Sequence, residues 1–296
     1  MTRLVVAADP SFPALSLLRE AGIDFTVSSE PAVLRDADAL LLSPRYGAAA
    51  LRSVAGETTR LRWIHSLAAG VDMLPLDALG ETVLTNSRGL YADALGEWVI
   101  AAMLWFAKDL RRLIHNQAAH KWEPYNIQRL EGKTAGIIGF GGIGRAIGRR
   151  AEAMGMRVIA TRRSSADTAA FDADYVVLSV PLTRETRNLM SAERIAQMKP
   201  SSVLINVSRG AVLDEAALVD ALLHHKIRGA ALDVFQTEPL PPNHPLWALD
   251  NVLISPHSAD HAADSHERAM RFFIENWRRF ESGQPLENVV DLTAGY

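Results

Sequence analysis

The stretch TAGIIGFGGIGRAIGRRAEAMGMRVIATRR, residues 134–163, constrains the chain more than any other. It runs from an apolar strand-like segment through GFGGIG into a helix-like segment, and on to a second strand-like run. Glycine falls at 139, 141 and 144, the spacing G-x-G-x-x-G. Each position answers a physical demand: a tight turn at Gly139, no side chain at Gly141 where a pyrophosphate approaches the backbone, and close helix-to-strand contact at Gly144. Gly142 and Ile143 fall where the helix starts, and there N–H groups without helical partners and the positive end of the helix dipole favour phosphate. A glycine-rich turn alone is a weak signal. Flanked by strand and helix, it implies a dinucleotide-binding βαβ unit.

In such a unit the second strand ends with an acid that hydrogen-bonds the ribose 2′-hydroxyl of NAD. Here ATRRSS stands there, with Thr161 in the place of the acid and Arg162 and Arg163 next. A 2′-phosphate carries about two negative charges and accepts bidentate hydrogen bonds from guanidinium, so the arginines favour NADP, with NAD as the weaker alternative. The following strand-like run begins near Asp174. The crossover from Arg163 is therefore near the lower limit for joining parallel strands, with room for one short helical turn, and it leaves the adenine side of the pocket open.

Elsewhere the same rhythm recurs. Strand-like runs (RLVVAA, DFTVS, DALLLS, LRWIHSL, TVLTNS) alternate with helix-like ones up to about residue 98, and a second series continues through DYVVLSV, SVLINVS, GAALDVF and NVLISPH. The pattern predicts an α/β chain of two Rossmann-like parallel-sheet domains, a flavodoxin-like substrate domain and a dinucleotide-binding domain. We expect residues 1–98 with 262–296 to form the first and 99–261 the second. The apolar DALGEWVIAAMLWFAKDLRRLIHNQAAH would be the helix at the crossing, and the amphipathic helix after 262 would return to the first domain. The chain has 296 residues and 48 % hydrophobic residues, enough for two cores. A net charge of -3 with mixed signs gives no basic stripe for nucleic acid. Without cysteine there is no thiolate nucleophile, disulfide or Cys-type metal site, and a cytoplasmic home fits. The opening MTRLVVAADP is too short an apolar run for a secretory signal, and WVIAAMLWFA too short to span a bilayer, so no membrane is expected. His257 and His261 stand four apart with His266 following, but Pro256 breaks the local structure and no carboxylate ligand pattern accompanies them, so no metal site is expected.

The stretch from INVSRGAVLDEAAL to NVLISPHSA resembles the D-isomer-specific 2-hydroxyacid dehydrogenase family through Arg209, Asp233, Glu238, Pro239 and Pro256-His257, and the resemblance runs from about Gly70 to the end. It implies a catalytic triad of Arg209, Glu238 and His257 at strand ends. The residue types suit the chemistry. An arginine fork can bind and polarise a 2-oxo acid, and a histidine whose pKa is raised by a glutamate can donate a proton to the ketone oxygen. The resemblance further implies that Asp233 contacts the nicotinamide amide and that Pro181 and Thr186 form the turn along the cofactor. LAAGVDML is similar to the family loop that presents backbone N–H groups to the substrate carboxylate, which points to Ala69 and Gly70. LSPRYG is similar to a second family loop, after the preceding strand, and that resemblance makes Ser43, Arg45 and Tyr46 candidates for choosing the substrate's side chain. The sequence departs from the family in its short crossover and at Ser87-Arg88, where a proline turn is more usual.

Within the family, the arginines after the second strand and the ending VVDLTAGY look most like the glyoxylate/hydroxypyruvate reductases. The expected activity is NADPH-dependent reduction of a small 2-oxo acid, in a cleft that closes by hinge motion, by a homodimer formed through the apolar helix near Trp98 to Phe106. Two other readings are an NAD-dependent dehydrogenase of another substrate, such as phosphoglycerate, and a dinucleotide-sensing protein of the corepressor kind.

Overall fold

Short apolar runs without polar alternation make strands that must be covered on both faces, and this chain gathers two sets of them. The computed structural model describes residues 2–44, 46–58, 60–161 and 169–296. They divide into two compact units, residues 1–91 with 262–296 and residues 92–261. The helix Ala92–Lys108 therefore belongs wholly to the second unit.

In the first unit β1 (Leu4–Ala7), β2 (Phe25–Val27), β3 (Ala39–Leu42), β4 (Trp63–Ser66) and β5 (Val83–Asn86) lie in the order β2-β1-β3-β4-β5. All pairs are parallel, with Leu4 opposite both Phe25 and Ala39, and Trp63 opposite Ala39 and Val83. This is the flavodoxin-like strand order. Every residue of β1, β3 and β4 is buried, as a sheet covered on both faces requires. The helix Ser265–Glu281 supplies part of that cover: Phe273 stacks on Trp63 with ring centroids 5.2 Å apart, and Trp277 and Phe280 flank the same indole. Beyond the helix the chain returns to the β5 edge. Val290 N–H donates to the Leu84 carbonyl at 2.8 Å, and the Asn288 amide donates to the carbonyls of Asn86 and Arg88, so this segment pairs with part of that edge.

In the second unit β6 (Thr134–Ile138), β7 (Arg157–Thr161), β8 (Tyr175–Leu178), β9 (Val203–Asn206), β10 (Gly229–Leu232) and β11 (Val252–Ile254) form a sheet ordered β11-β10-β9-β8-β6-β7, again all parallel. The chain turns one way from β6 to β7 and then crosses to β8 on the other side of β6. That reversal is a topological switch point, and Gly139 ends the strand that borders it. A doubly wound sheet of six strands usually carries a third strand outside the second. Here β7 is outermost among the described residues. The run from Thr161 to Tyr175 is long enough for one crossover and too short for a strand and a helix as well. Its described part is a single helical turn, Ala169–Asp172, with Ala170 and Ala173 fully buried. Arg162 and Arg163 lie outside the described residues.

One buried group gives the first unit a pH dependence. His65, in β4, is fully buried beneath Phe272 and Phe273, its Nδ1 2.7 Å from the Thr85 hydroxyl, which also accepts from Trp63 Nε1–H. Burial pushes its pKa from 6.5 down to about 3. The folded protein keeps this ring neutral while the unfolded chain protonates it near its ordinary value. The stabilisation is thus complete above pH 6.5 and is lost as the pH falls toward 3, at up to about 1.4 kcal/mol per pH unit. Urea unfolding of the first unit followed from pH 7 to pH 5 should show that slope, and His65→Asn, which keeps a polar atom near Thr85, should flatten it.

Candidate active site

In both sheets every strand runs the same way, so loops that follow strands gather at one edge. The second unit places its functional candidates there. Gly139 leaves β6 with φ +96°, and its N–H donates to the carbonyl of Thr161, which seats the end of β7 beside the turn. A side chain at Gly144 would stand 2.1 Å from the Gly139 carbonyl oxygen, so the helix Gly142–Ala153 lies against the turn only because that residue is bare. At Gly141 a side chain would meet nothing within 4 Å. The glycine there is required by no neighbour among the described residues; it keeps open the approach to the first N–H groups of the helix, which no side chain among them caps. A pyrophosphate fits that combination of open backbone and positive helix end. At the neighbouring strand end Thr161 is buried and brings no carboxylate.

Pro181 and Thr186 follow β8. The Thr186 hydroxyl donates to the Pro181 carbonyl at 2.6 Å, and Thr186 exchanges hydrogen bonds with Thr183, so this threonine fixes the shape of the turn.

Arg209, Glu238 and His257 follow β9, β10 and β11. Glu238 is the hinge of the arrangement. Its Oε1 accepts from the N–H of Phe235 at 2.9 Å, and its Oε2 is 2.7 Å from Nδ1 of His257. Burial acts to raise the Glu238 pKa, but the hydrogen bonds from His257 and Phe235, with the charges of His257 and Arg209, outweigh it and hold the carboxyl below the usual range. The hydrogen bond to Glu238 in turn raises His257, against burial and the Arg209 charge, with smaller help from Asp233. With Nδ1 engaged, Nε2 of His257 has no partner among the described residues, and the ring remains partly exposed. The raised pKa favours the protonated ring, which would offer an N–H donor at Nε2. Arg209 itself donates from one terminal nitrogen to the Ser208 carbonyl at 2.8 Å.

His257 sits at φ +52°, a left-handed backbone that a non-glycine residue seldom adopts. Asp233 holds it there. The Asp233 carbonyl accepts from His257 N–H at 2.8 Å, and its Oδ1 accepts from the N–H groups of Ser258 and Ala259 and from the Ser255 hydroxyl at 2.6 Å. Asp233 is 2 % exposed and only its Oδ2 lies outside this brace. Sequence reasoning placed Asp233 at the cofactor and did not foresee that it shapes the histidine's loop.

In the first unit, Ser43 is buried, with its hydroxyl donating to the Ala7 carbonyl at 2.9 Å, so it pins the end of β3 to the end of β1. The Tyr46 hydroxyl donates to Asp9 at 3.1 Å, and Arg45 lies outside the described residues. Ala69 and Gly70 follow β4 and are half-buried. The Ala69 carbonyl accepts from the Asn86 amide at 2.7 Å, while the N–H groups of Ala69 and Gly70 donate to nothing among the described residues.

Comparison with known proteins shows the family and the fold. The family described as "D-isomer specific 2-hydroxyacid dehydrogenase, NAD binding domain" matches residues 100–259. A glyoxylate reductase of Thermofilum pendens is 33 % identical, over 89 % of this chain and 87 % of the relative. A D-3-phosphoglycerate dehydrogenase of Methanocaldococcus jannaschii is 30 % identical over 99 % of this chain, which spans 60 % of that longer relative. Among solved structures, an NADPH-dependent glyoxylate/hydroxypyruvate reductase of Sinorhizobium meliloti, in complex with NADP and sulfate, superposes with a TM-score of 0.86 at 28 % identity, covering 100 % of both chains.

The different reasons for the glycines are separable. Gly144→Ala should cost about 1–3 kcal/mol in urea unfolding of the second unit, through overpacking against Gly139. Gly141→Ala should change stability by less than about 0.5 kcal/mol. It should nevertheless weaken dinucleotide binding measured by calorimetry.

Proposed function

Because the chain belongs to the D-isomer-specific 2-hydroxyacid dehydrogenase family, we propose that it reduces a small 2-oxo acid, glyoxylate or hydroxypyruvate, to the D-2-hydroxy acid with NADPH. The observation that carries the reading is the 2.7 Å contact of His257 Nδ1 with Glu238, which favours the protonated ring and leaves Nε2 without a partner among the described residues. The bound nicotinamide supplies the hydride. His257 Nε2–H gives its proton to the ketone oxygen as that oxygen gains charge, Glu238 stabilises the imidazolium until then, and Arg209 polarises the carbonyl. The unengaged N–H groups of Ala69 and Gly70 are the proposed contacts of the substrate carboxylate. Ser43, Arg45 and Tyr46 are proposed to bear on its side chain. The glycine turn from Gly139 to Gly144, with Pro181, Thr186 and Asp233, is proposed to hold the cofactor, and Arg162 and Arg163 its 2′-phosphate. That the S. meliloti structure is a complex with NADP supports NADP over NAD here. The likeness to the phosphoglycerate dehydrogenase favours a second reading, an NAD-dependent enzyme of larger substrate. No described helix is long and apolar enough to cross a membrane. A cytoplasmic location is part of the proposal.

A panel of 2-oxo acids assayed with NADPH and NADH decides between the readings. We expect glyoxylate or hydroxypyruvate with NADPH to give the highest kcat/KM, and neutral replacements of Arg162 and Arg163 to raise the KM for NADPH alone. His257→Asn should lower kcat at least about a hundredfold while NADPH still binds. Because the His257 pKa is raised, the fall in reduction rate with rising pH should begin above the ordinary histidine value and move down in Glu238→Gln. Turnover unaffected by His257→Asn would remove the proton donor from the mechanism.

We also propose a homodimer. The expected surface near Trp98 to Phe106 has Val99, Ala102, Met103 and Phe106 buried, whereas Leu113, Ile114, Trp122 and Ile127 further along the second unit are exposed, Trp122 by 97 %, and exposed apolar side chains of that kind favour a partner. The proposed partner is a second copy, which light scattering should read as twice 32.4 kDa, with Trp122→Glu shifting it toward the monomer.

A further inference from the structure

Glu238 owes its direction to the Phe235 N–H, and that peptide segment is itself held from behind. The Oε2 of Glu215, in the first turn of the helix Glu215–Leu223, accepts from the Gln236 N–H at 3.0 Å. The Gln236 side chain donates to the Leu213 carbonyl at 3.0 Å, just ahead of the same helix. On the other side, Nε2 of His244 lies 3.4 Å from Glu215 Oε1. Since His244 Nδ1 accepts from Leu246 N–H, its proton stands on the nitrogen that faces Glu215. The Glu215 side chain is only 12 % exposed. Gly210, next to Arg209, closes the clamp: a side chain there would stand 1.9 Å from the Phe235 carbonyl carbon and 2.3 Å from the Gln236 nitrogen.

We infer that Glu215 is a positioning residue for the proposed reaction, which fixes the Phe235–Gln236 peptide so that Phe235 N–H aims Glu238 at His257. The inference rests on the reading of His257 as proton donor. Glu215 touches neither Glu238 nor His257 in any hydrogen bond of the described residues. It acts through the backbone it holds, with Gly210 setting the same peptide against the residue that bears the guanidinium. A carboxylate suits the task because it accepts from two sides at once, the Gln236 N–H and the His244 ring, and has no donor of its own to compete.

The test compares Glu215→Ala and Glu215→Gln with wild type and with Glu238→Gln. It uses the full chain with ring-labelled histidine, the His257 signal being assigned by its loss in His257→Asn. The His257 pKa is read by NMR without substrate, and kcat/KM against pH is read for 2-oxo acid reduction. Glu215→Ala should lower the His257 pKa in the direction of Glu238→Gln, move the alkaline limb of the rate profile down with it, and reduce kcat about tenfold with little change in KM. Glu215→Gln keeps an acceptor for Gln236 N–H at the cost of the weak His244–Leu246 bond, and should stay within about threefold of wild type. If Glu215→Ala lowers the unfolding midpoint yet leaves both the His257 pKa and the rate profile where they were, the role is structural and the inference is overturned. If the NMR pKa moves and the rate profile does not, the positioning stands and it is His257 as proton donor that fails.

Discussion

A parallel sheet covered on both faces has one place where side chains can meet a ligand, the edge at which its strands end. In the second unit that constraint collects residues separated by more than a hundred positions. The glycine turn after β6, Thr161 at the end of β7, the Thr183–Thr186 turn after β8, and Arg209, Glu238 and His257 after the last three strands all leave the sheet on the same side. None of the loops needs to be long. The register of the strands, with Ile138 beside both Thr161 and Leu178, does the positioning that a loop alone could not.

What the sheet delivers roughly, hydrogen bonds refine. His257 occupies a backbone conformation that costs of the order of 1 kcal/mol or more, and it persists because Asp233 satisfies the turn around it with both its carbonyl and one carboxylate oxygen. The brace on Glu238 likewise comes from earlier in the chain, from a helix that begins more than twenty residues before it. All three carboxylates thus accept from backbone, at Asp233, Glu215 and Glu238, and Glu238 alone of them also meets the His257 imidazole.

The sequence made the glycine turn readable because its three positions have local causes: a positive φ, an open approach, and contact with the preceding turn. The shortness of the crossover after Thr161 was equally readable, since the next strand-like run begins near Asp174. Arg209, Glu238 and His257 were found through their resemblance to a family, and their 2.7 Å and 2.9 Å contacts could not be read from spacing. Ser43 was named through its likeness to a family loop, and the bond of its hydroxyl to Ala7, a partner 36 residues away, could not be read from that likeness. Glu215 looked like an ordinary acid in a helix's first turn, following the N-cap Asp214, and nothing local distinguishes it from a dipole-stabilising charge. Its partners Gln236 and His244 lie 21 and 29 residues on, beyond the reach of any periodicity. Local demands are written locally; braces between loops are not.

The burial of each carboxylate matches the task proposed for it. Asp233, 2 % exposed, can be enclosed because backbone N–H groups and a hydroxyl satisfy it and it need not be approached. Glu238, with a side chain 35 % exposed, sits between limits. Deeper burial would raise its pKa until it took up the proton itself, leaving His257 neutral and without a proton to give. Fuller exposure would let water screen the pair, and the histidine would return toward its ordinary value. At intermediate depth the hydrogen bonds of His257 and Phe235 overcome the desolvation that opposes them, so that glutamate stays charged and histidine is raised. Any change that shifts the 235–239 loop outward or inward acts on this balance before it acts on contacts with a substrate, which is why the restraints on that loop belong to the chemistry as much as the triad does.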